Sequence, residues 1–233
     1  MNNLSYLLAL ESRGIKMGLN RTKKLLDSCK NPEQNLKCIQ IAGTNGKGSV
    51  ASMLSNILIG LGLKVGLYTS PHLVSINERI RINGHPIKNK DLNYIIKKHK
   101  KSIEINKASF FEAMTLIAFS YFQIKKTDIA ILETGLGGRY DSVTACKPEL
   151  VVFTPISIDH KEILGDTIEK IALEKSGIIK FQTPIFSSKQ KQSVRNILIK
   201  KAKEKEGHIN FCNYENHIKL KYLYGQHQNE NAQ

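Results

Sequence analysis

The segment Gly43-Thr44-Asn45-Gly46-Lys47-Gly48-Ser49 joins two apolar stretches, residues 37–42 and residues 49–61. Residues 37–42 are predicted to form a buried strand, and residues 49–61 a helix, because their apolar side chains recur at helical spacing. A glycine-rich turn between a strand and a helix directs backbone N–H groups and the positive helix end towards an anion. Segment 43–49, called the phosphate loop below, therefore predicts an α/β fold with a nucleotide site.

Within the phosphate loop, Lys47 is expected to contact the β- and γ-phosphates of ATP. The loop differs from the pattern GxxxxGK[ST], because Gly48 separates the lysine from the hydroxyl of Ser49. The alternative is a glycine-rich turn with an incidental lysine, but its place between a strand and a helix favours nucleotide binding. The other loop residues expected to bind the nucleotide are Thr44, Asn45, Gly46, Gly48 and Ser49.

Strands and helices alternate along the rest of the chain. Residues 76–87 contain an alternating run that ends in Asn83-Gly84, which is typical of a hairpin. This alternation predicts an open parallel α/β sheet, which binds ligands at the carboxyl ends of its strands. Further strands are predicted at 64–68, 129–132, 150–153 and 184–187, and helices at 90–104, 110–124, 167–176 and 188–205.

Local signals predict the bounds of one helix and the start of another. Asp166 and Glu169 are predicted to cap the start of helix 167–176, and Gly177 to end it. Residues 223–233 are predicted to be a loop that enters a helix. Because natural domains seldom stop as a helix begins, we expect a truncated protein.

Length and composition exclude several classes of protein. The 233 residues suit one domain, or one domain and the start of another, and 41% apolar residues exclude a disordered chain. No run approaches the ~20 apolar residues of a membrane-spanning helix, and the N-terminus lacks the pattern of a secretory signal. The four cysteines are distant in sequence and are expected to be free, buried thiols in a cytoplasmic protein: Cys29, Cys38, Cys146 and Cys212.

The formal net charge of +15 raises the question of nucleic-acid binding. However, 29 of the 35 basic residues are lysines, whereas arginine is the usual reader of bases and phosphates. Lysine runs such as 97–101 and 200–205 are typical of solvated helix faces. We therefore expect no nucleic-acid partner, although the charge favours anionic substrates such as nucleotides.

Two oxygen-bearing side chains follow predicted strands and are candidates for a Mg²⁺ site. Ser70 lies just beyond strand 64–68, where the alternative is a turn hydroxyl before a proline. Glu133 follows strand 129–132 and is placed as an acid that binds a metal on ATP, the alternative being a solvated side chain.

These segments resemble the folylpolyglutamate synthase/dihydrofolate synthase branch of the Mur ligase superfamily. Thr144 departs from the family pattern, which usually has Asn at that position. The resemblance implies a Mur-type P-loop ATP-binding domain, which is a mostly parallel sheet with helices on both faces. It rests on Thr-Asn-Gly-Lys-Gly-Ser (44–49), Thr-Ser-Pro-His-Leu (69–73), Glu-Arg-Ile-Arg-Ile-Asn-Gly (78–84), the segment 133–142, Asp-His (159–160), Leu-Gly-Asp-Thr (164–167) and Ile-Ala-Leu-Glu-Lys-Ser-Gly-Ile (171–178).

The resemblance also implies roles for individual residues. His160 would bind a second Mg²⁺, and Lys175 would be carbamylated; the alternative for Lys175 is a cation at a helix C-terminus. Asn231, in Gly225-Gln226-His227-Gln228-Asn229-Glu230-Asn231-Ala232, would approach ATP. The Phe110-Phe111 pair is equally well explained as core. The substrate contacts implied are Gly18, Arg21, Ser109, Phe110, Phe111, Glu112, Tyr140, Asp141 and Ser142.

The implied activity is ATP- and Mg²⁺-dependent ligation of L-glutamate to dihydropteroate or a folate through an acyl phosphate. Residues 1–233 would be an incomplete ATP-binding domain, because family members add the last part of this domain. They also add a C-terminal glutamate-ligase domain with an Asp-Gly-x-His-Asn-Pro segment, which this sequence lacks. A separate chain that carries this domain is a partner to consider. The alternatives are a generic P-loop ATPase or kinase, which the ordered segments disfavour, and a non-catalytic remnant that binds nucleotide.

Overall fold

The strand order places the phosphate loop in the middle of a sheet. The computed structural model describes residues 3–212, 220 and 225–232, and this part of the chain contains eight strands. They are β1 (Cys38–Ala42), β2 (Val65–Tyr68), β3 (Ile80–Ile82), β4 (His85–Pro86), β5 (Ile129–Glu133), β6 (Leu150–Phe153), β7 (Ile185–Ser187) and β8 (Ile209–Phe211). Their order in the sheet is β4-β3-β2-β5-β1-β6-β7-β8.

The sheet is mostly parallel, as predicted. Strands β2, β5, β1, β6, β7 and β8 pair in parallel, whereas β3 pairs antiparallel with β2, and β4 antiparallel with β3. Four neighbouring strands, β2, β5, β1 and β6, therefore present their carboxyl ends side by side. Ligand sites of open α/β sheets form at this edge.

Helices cover both faces of the sheet, which also agrees with the prediction. The described helices are α1 (Asn3–Ala9), α2 (Asn20–Asp27), α3 (Lys47–Gly60), α4 (Asn89–Ile105), α5 (Phe110–Lys125), α6 (Lys161–Leu164), α7 (Ile168–Lys175), α8 (Gln192–Glu204) and α9 (Gln226–Ala232). Side chains of successive strand residues point to opposite faces, so Ile39 and Ile41 pack on α3, whereas Cys38 packs in the core formed with α2, α4 and α5. Helices α7 and α8 pack in a further core beside β6 and β7.

Several details differ from the prediction. Helix α3 begins at Lys47, two residues earlier than predicted, and α8 begins at Gln192 rather than at residue 188. The capping pair Asp166–Glu169 is wrong: Thr167 is the N-cap of α7 and accepts the Lys170 N–H, while Asp166 pairs with the Lys170 ammonium.

Helix α9 confirms the predicted helix near the end of the chain. Residues 223, 224 and 233 of the predicted segment lie outside the described residues.

All four thiols are free, as predicted, but Cys29 and Cys212 are half-buried rather than buried. Cys38 and Cys146 are buried, with sulfur atoms 3.1 Å apart. None of the described helices has the length and apolar character needed to cross a bilayer.

Candidate active site

The phosphate loop leaves β1 in a conformation that requires glycine at two positions. Gly43 has φ +152°, and a Cβ there would overlap the side chain of Thr154, which follows β6. Gly46 has φ +82° and is the left-handed N-cap of α3, where a Cβ would overlap the Asn231 carboxamide. Both positions thus combine a backbone conformation that favours glycine with a close neighbour.

Thr44 anchors the loop to the segment after β6. Its hydroxyl donates to the Ser157 carbonyl and accepts the Ser157 N–H, both at 3.0 Å, and its own N–H donates to the Pro155 carbonyl at 2.9 Å. The Thr44 side chain is therefore committed to holding the loop in place. The backbone N–H groups of the following residues are the groups that this geometry offers to an anion.

Two lysine ammonium groups meet at the start of the loop. Lys47, the first residue of α3, donates to the carbonyls of Gly43 at 3.3 Å and Thr44 at 3.0 Å. Lys175, at the end of α7, donates to the same Gly43 carbonyl at 2.7 Å. Burial, and secondarily the charge of Lys47, lowers the pKa of Lys175 to about 8.

Glu133 ends β5 beside the first turn of α3. A Cβ placed on Gly48 would lie 3.7 and 3.8 Å from the two carboxylate oxygens of Glu133, so the carboxylate faces this turn. It accepts the Ser70 N–H at 3.0 Å. Burial raises the pKa of Glu133 to about 7, an effect opposed by the Ser70 hydrogen bond and by the charge of Lys47.

The residues at this edge fit a Mg²⁺ ion. Glu133 is buried with a carboxylate that carries one backbone hydrogen bond, and Ser70 adds a hydroxyl from the adjacent strand end. Hard oxygen donors of this kind suit Mg²⁺, which keeps several waters and binds few protein groups. In the described part of the chain no three His, Cys, Asp or Glu side chains cluster closely enough to hold a metal ion.

His160 occupies a left-handed position just before α6, at φ +46°. Its Nε2 lies 3.6 Å from a carboxylate oxygen of Asp159, and both side chains are substantially exposed. His160 lines the same cavity as Lys47 and Ser70.

A cavity of about 520 Å³ opens beside the phosphate loop. This volume lies within the range of sites for drug-sized molecules. It brings together many of the residues predicted from sequence. The predicted residues outside its wall are Gly18, Arg21, Thr44, Asn45, Gly46, Gly48, Ser49, Glu133, Lys175 and Asn231. Those in the wall are Lys47, Ser70, Ser109, Phe110, Phe111, Glu112, Tyr140, Asp141, Ser142 and His160.

Glu112 has a structural role beside its place in the cavity wall. Its carboxylate completes the capping box of α5 by accepting the Ser109 N–H at 2.7 Å, and it also accepts from the hydroxyl of Ser109. Arg21 donates its Nε–H to both carboxylate oxygens, at 2.8 and 2.9 Å, and Thr22 adds a hydroxyl contact. The charge of Glu112 is thus balanced within the protein.

Asp141 likewise orders the loop that follows β5. Its carboxylate accepts the N–H groups of Gly135, Leu136 and Val143 at 2.8 to 3.1 Å. Burial raises the pKa of Asp141 to about 6, against the lowering effect of these hydrogen bonds. Asp141 also caps the short helical turn that begins at Ser142.

The two phenylalanines contact the core and also line the cavity. Phe111 packs under Gly135, where a Cβ would lie 2.6 Å from its ring, and lies 6.0 Å from the Tyr68 ring. Phe110 lies against the guanidinium of Arg79, 5.1 Å from ring centroid to guanidinium carbon. Phe110 is a buried core residue, Phe111 is half-buried and packs against the same core, and both form part of the cavity wall.

The sequence interpretation missed other residues in the cavity wall. Arg79 is buried there, and the motif 78–84 that contains it was the available signal. Pro71 and Leu136 adjoin predicted site residues, and their apolar character gave no separate signal. The N-terminal segment contributes Glu11, Gly14, Ile15, Lys16 and Met17.

Asn231 lies on the other side of the phosphate loop. Its carboxamide contacts Gly46 and accompanies the apolar side chains of Val50, Met53 and Leu54 in a second cavity of about 250 Å³. Helix α9 therefore approaches the first turns of α3, next to the phosphate loop. Asn231 also donates to the Gln228 side chain at 3.2 Å.

Residues 41–233, which include the phosphate loop and all strands after β1, match the family model of the Mur ligase middle domain. The chain belongs to this family. The loop after β1, with Lys47 at the start of α3, lies within the matched residues of this Mur ligase domain.

Curated relatives are enzymes of folate metabolism. This Mur ligase domain is 42% identical over 182 residues to the dihydrofolate synthase/folylpolyglutamate synthase of Bacillus subtilis, covering 75% of this chain and 42% of that protein. It is 39% identical over 178 residues to the folylpolyglutamate synthase of Arabidopsis thaliana, covering 73% and 31% respectively. The chain thus spans less than half the length of these relatives.

Solved structures agree in fold. The folylpolyglutamate synthase of Thermotoga maritima superposes with a TM-score of 0.87 at 36% identity, covering 98% of this chain and 59% of that one. The folylpolyglutamate synthase of Mycobacterium tuberculosis in complex with ADP has a TM-score of 0.83 at 32% identity, covering 90% and 51%. These likenesses agree with the predicted Mur-type fold.

Proposed function

We propose that this chain forms the ATP-binding part of a ligase that joins L-glutamate to dihydropteroate or a folate. The observation that carries the proposal is the meeting of Lys47, Glu133 and Ser70 at the ends of adjacent parallel strands, beside an aromatic-walled cavity of about 520 Å³. The names of the similar enzymes support the same activity.

The phosphate loop would bind the triphosphate of ATP. Backbone N–H groups at the start of α3 and the Lys47 ammonium would balance its charge. Asn45 and Ser49 belong to the same turn, and Asn231 would contact the nucleotide from α9. The second cavity, beside Val50, offers an apolar surface that suits the base.

Ser70, Glu133 and His160 are the residues that would hold Mg²⁺. When bound, Mg²⁺ supplies charge neutralisation on the phosphate oxygens. Glu133 contributes a buried carboxylate whose orientation is fixed by the Ser70 N–H, so little reorganisation is needed on binding.

Lys175 is proposed to be carbamylated. Its lowered pKa, about 8, leaves a fraction of neutral amine at neutral pH, and only the neutral amine can attack CO₂. The ammonium would first lose a proton to solvent. The neutral amine nitrogen would then bond to the carbon of CO₂ and release a second proton, so that a cation becomes an anion. The product would attract Lys47, whereas the unmodified ammonium repels it.

The reaction would proceed in two displacement steps. A carboxylate oxygen of the pteroate or folate attacks the γ-phosphorus, ADP leaves, and an acyl phosphate forms. The amine of glutamate then attacks the carbonyl carbon, loses a proton, and releases inorganic phosphate. Gly18, Tyr140 and Ser142 are further proposed substrate contacts, and Phe110 and Phe111 offer aromatic surface to a flat ring.

Positioning of glutamate is proposed to need a further domain, which a separate partner chain could supply. The proposed location is the cytoplasm, which the four free thiols support.

A binding and trapping experiment tests the proposed function. The chain is titrated with the ATP analogue AMPPCP and Mg²⁺, and is then incubated with ATP, Mg²⁺, dihydropteroate and hydroxylamine, which converts an acyl phosphate into a hydroxamate. Saturable AMPPCP binding with hydroxamate formation is expected. Absence of nucleotide binding overturns the proposal.

A second candidate function is nucleotide binding without catalysis. It rests on the phosphate loop and the adjacent second cavity, which offer groups to a nucleotide without involving the 520 Å³ cavity. Nucleotide binding without hydroxamate would support this second candidate over the ligase.

A further inference from the structure

Arg79 is a buried cation in the wall of the 520 Å³ cavity. Its side chain is 9% exposed, and it ends the short helical turn Ile76–Arg79 that precedes β3. The Arg79 carbonyl accepts the Thr69 N–H at 3.0 Å. This bond ties Arg79 to the chain segment that carries Ser70, at the same edge of the sheet as the phosphate loop.

Two contacts fix the orientation of the guanidinium. Its Nε–H donates to Nδ1 of His72 at 2.8 Å. The ring of Phe110 lies against its face, with 5.1 Å between the ring centroid and the guanidinium carbon. A guanidinium carries five N–H donors, so four of them, on the two terminal nitrogens, remain for another partner.

Within the described residues no carboxylate lies at ion-pair distance from Arg79. The adjacent Glu78 is committed to the N–H groups of Leu73, Val74 and Ser75. Elsewhere in the cavity wall, Glu112 is paired with Arg21, and Asp141 accepts three backbone N–H groups, as described above. A buried cation without an opposite charge nearby is costly, because its desolvation is not offset. Arg79 therefore indicates a site for an anion.

The other residues of the cavity wall indicate which class of anion the cavity suits. Phe110, Phe111, Leu136, Ile15 and Met17 give the cavity apolar and aromatic surface beside the cation. An aromatic ring that bears a carboxylate complements both features, and a planar guanidinium binds a carboxylate through two parallel hydrogen bonds. A free phosphate would leave the apolar walls without contacts.

We infer that Arg79 binds the carboxylate of an aromatic carboxylic acid in this cavity and holds it beside the phosphate loop. This inference rests on the proposed function, in which such a carboxylate must approach the triphosphate. Arg79 is then a positioning residue: its charge offsets the repulsion between two anions, and its fork orients the carboxylate oxygen that attacks.

A charge-selective binding experiment tests the inference. The chain is titrated with pteroic acid and with pteroic carboxamide, in the presence of AMPPCP and Mg²⁺. The variants are R79A, R79K and the control R81A; Arg81 is two residues along, donates to the Glu78 carbonyl, and lies outside the cavity wall. Thermal unfolding verifies that each variant folds, and AMPPCP affinity is measured separately.

In R79A the affinity for pteroic acid should fall about ten- to a hundredfold, while the affinity for the carboxamide changes less than about threefold. R79K should show an intermediate loss, since lysine keeps the charge without the fork. R81A should bind both ligands as the unmodified chain does.

An equal loss of both ligands in R79A, or equal affinity of the unmodified chain for both, would overturn the role of Arg79. Failure of the unmodified chain to bind pteroic acid while it binds AMPPCP would also overturn it and leave the nucleotide site standing. Failure to bind AMPPCP would instead count against the proposed function itself.

Discussion

Lys47 and Lys175 donate hydrogen bonds to one oxygen atom, the carbonyl of Gly43, at 3.3 and 2.7 Å. The two residues are far apart in sequence and belong to different helices, yet the ends of β1 and α7 bring their ammonium groups together. Like charges at this separation repel, and the buried one of the pair, Lys175, has the lowered pKa.

The stability of the protein should depend on pH through Lys175. The pKa of Lys175 is about 8 in the fold against 10.5 ordinarily, so between these values the unfolded chain binds the extra proton. The free energy of unfolding should therefore rise with pH from about 8 to 10.5, by about 3 kcal/mol for the unmodified amine. Below pH 8 the penalty is fully present. The facing charges are those of Lys47, Asp159, Asp141 and Glu174.

Urea unfolding in CO₂-free buffer, compared with K175M, isolates this effect from the other lysines. The difference between the two proteins should shrink or reverse across this pH range. In bicarbonate buffer the rise should disappear, and intact-mass measurement should detect one added CO₂. A pH-independent difference in CO₂-free buffer would show that Lys175 does not titrate as a buried amine.

Removal of the Lys47 ammonium should abolish nucleotide binding. K47A should bind AMPPCP at least about a hundredfold more weakly, because a charge-assisted contact to the phosphates is lost. The matched control is K90A, an exposed lysine on α4 remote from the loop. Calorimetric titration measures both, and an unchanged affinity in K47A would refute the phosphate-loop assignment.

Substitution of Gly46 should displace α9 as well as strain the loop. In G46A the new methyl group would overlap the Asn231 carboxamide, at a φ of +82°. Gly62 has nearly the same φ, +85°, with nothing near its Cβ position, so G62A carries the backbone strain alone. G46A should lose AMPPCP affinity, and G62A should keep it while losing about 1 kcal/mol of stability.

The Mg²⁺ dependence of nucleotide binding should depend on Glu133. E133Q keeps an acceptor for the Ser70 N–H but removes the negative charge, so the enhancement of AMPPCP affinity by Mg²⁺ should fall about tenfold or more. Glu149 is exposed just before β6, at the opposite edge of the sheet, and E149Q serves as the control. Equal Mg²⁺ dependence in the unmodified chain, E133Q and E149Q would show that Glu133 does not hold the metal.

The thiols should differ in reactivity. Contact with Cys146, together with burial, raises the pKa of the Cys38 thiol. Iodoacetamide should therefore label the half-buried Cys29 and Cys212 first in the native protein, and all four cysteines in urea. Peptide mass spectrometry locates the label; labelling of Cys38 at the rate of Cys212 would contradict the packing seen here.

The element pattern was predictable because it depends on local hydrophobic periodicity. The strands β5 and β6 are nearly continuous apolar runs, typical of strands covered on both faces. The N-cap of α7 was not predictable from the sequence. Asp166, Thr167 and Glu169 all suit a capping role, and only the path of the backbone selects Thr167.

The site was predictable in its parts but not in its pairings. Motifs identified Arg21 and Glu112 as separate substrate contacts, whereas the fold joins them as an ion pair within the wall. Cys38 and Cys146 were likewise predicted as separate thiols. Their contact forms because the turn that begins at Ser142 meets the start of β1. Such contacts depend on tertiary structure, which short motifs do not encode.

The central place of β1 also has a consequence for biosynthesis. This strand leaves the ribosome early, but its two neighbours in the sheet, β5 and β6, are residues 129–133 and 150–153. At ~5–20 residues per second, β1 waits several seconds with both edges unpaired. The nascent chain thus passes through an interval in which an apolar strand is open to wrong partners, and we expect chaperone dependence to be concentrated there.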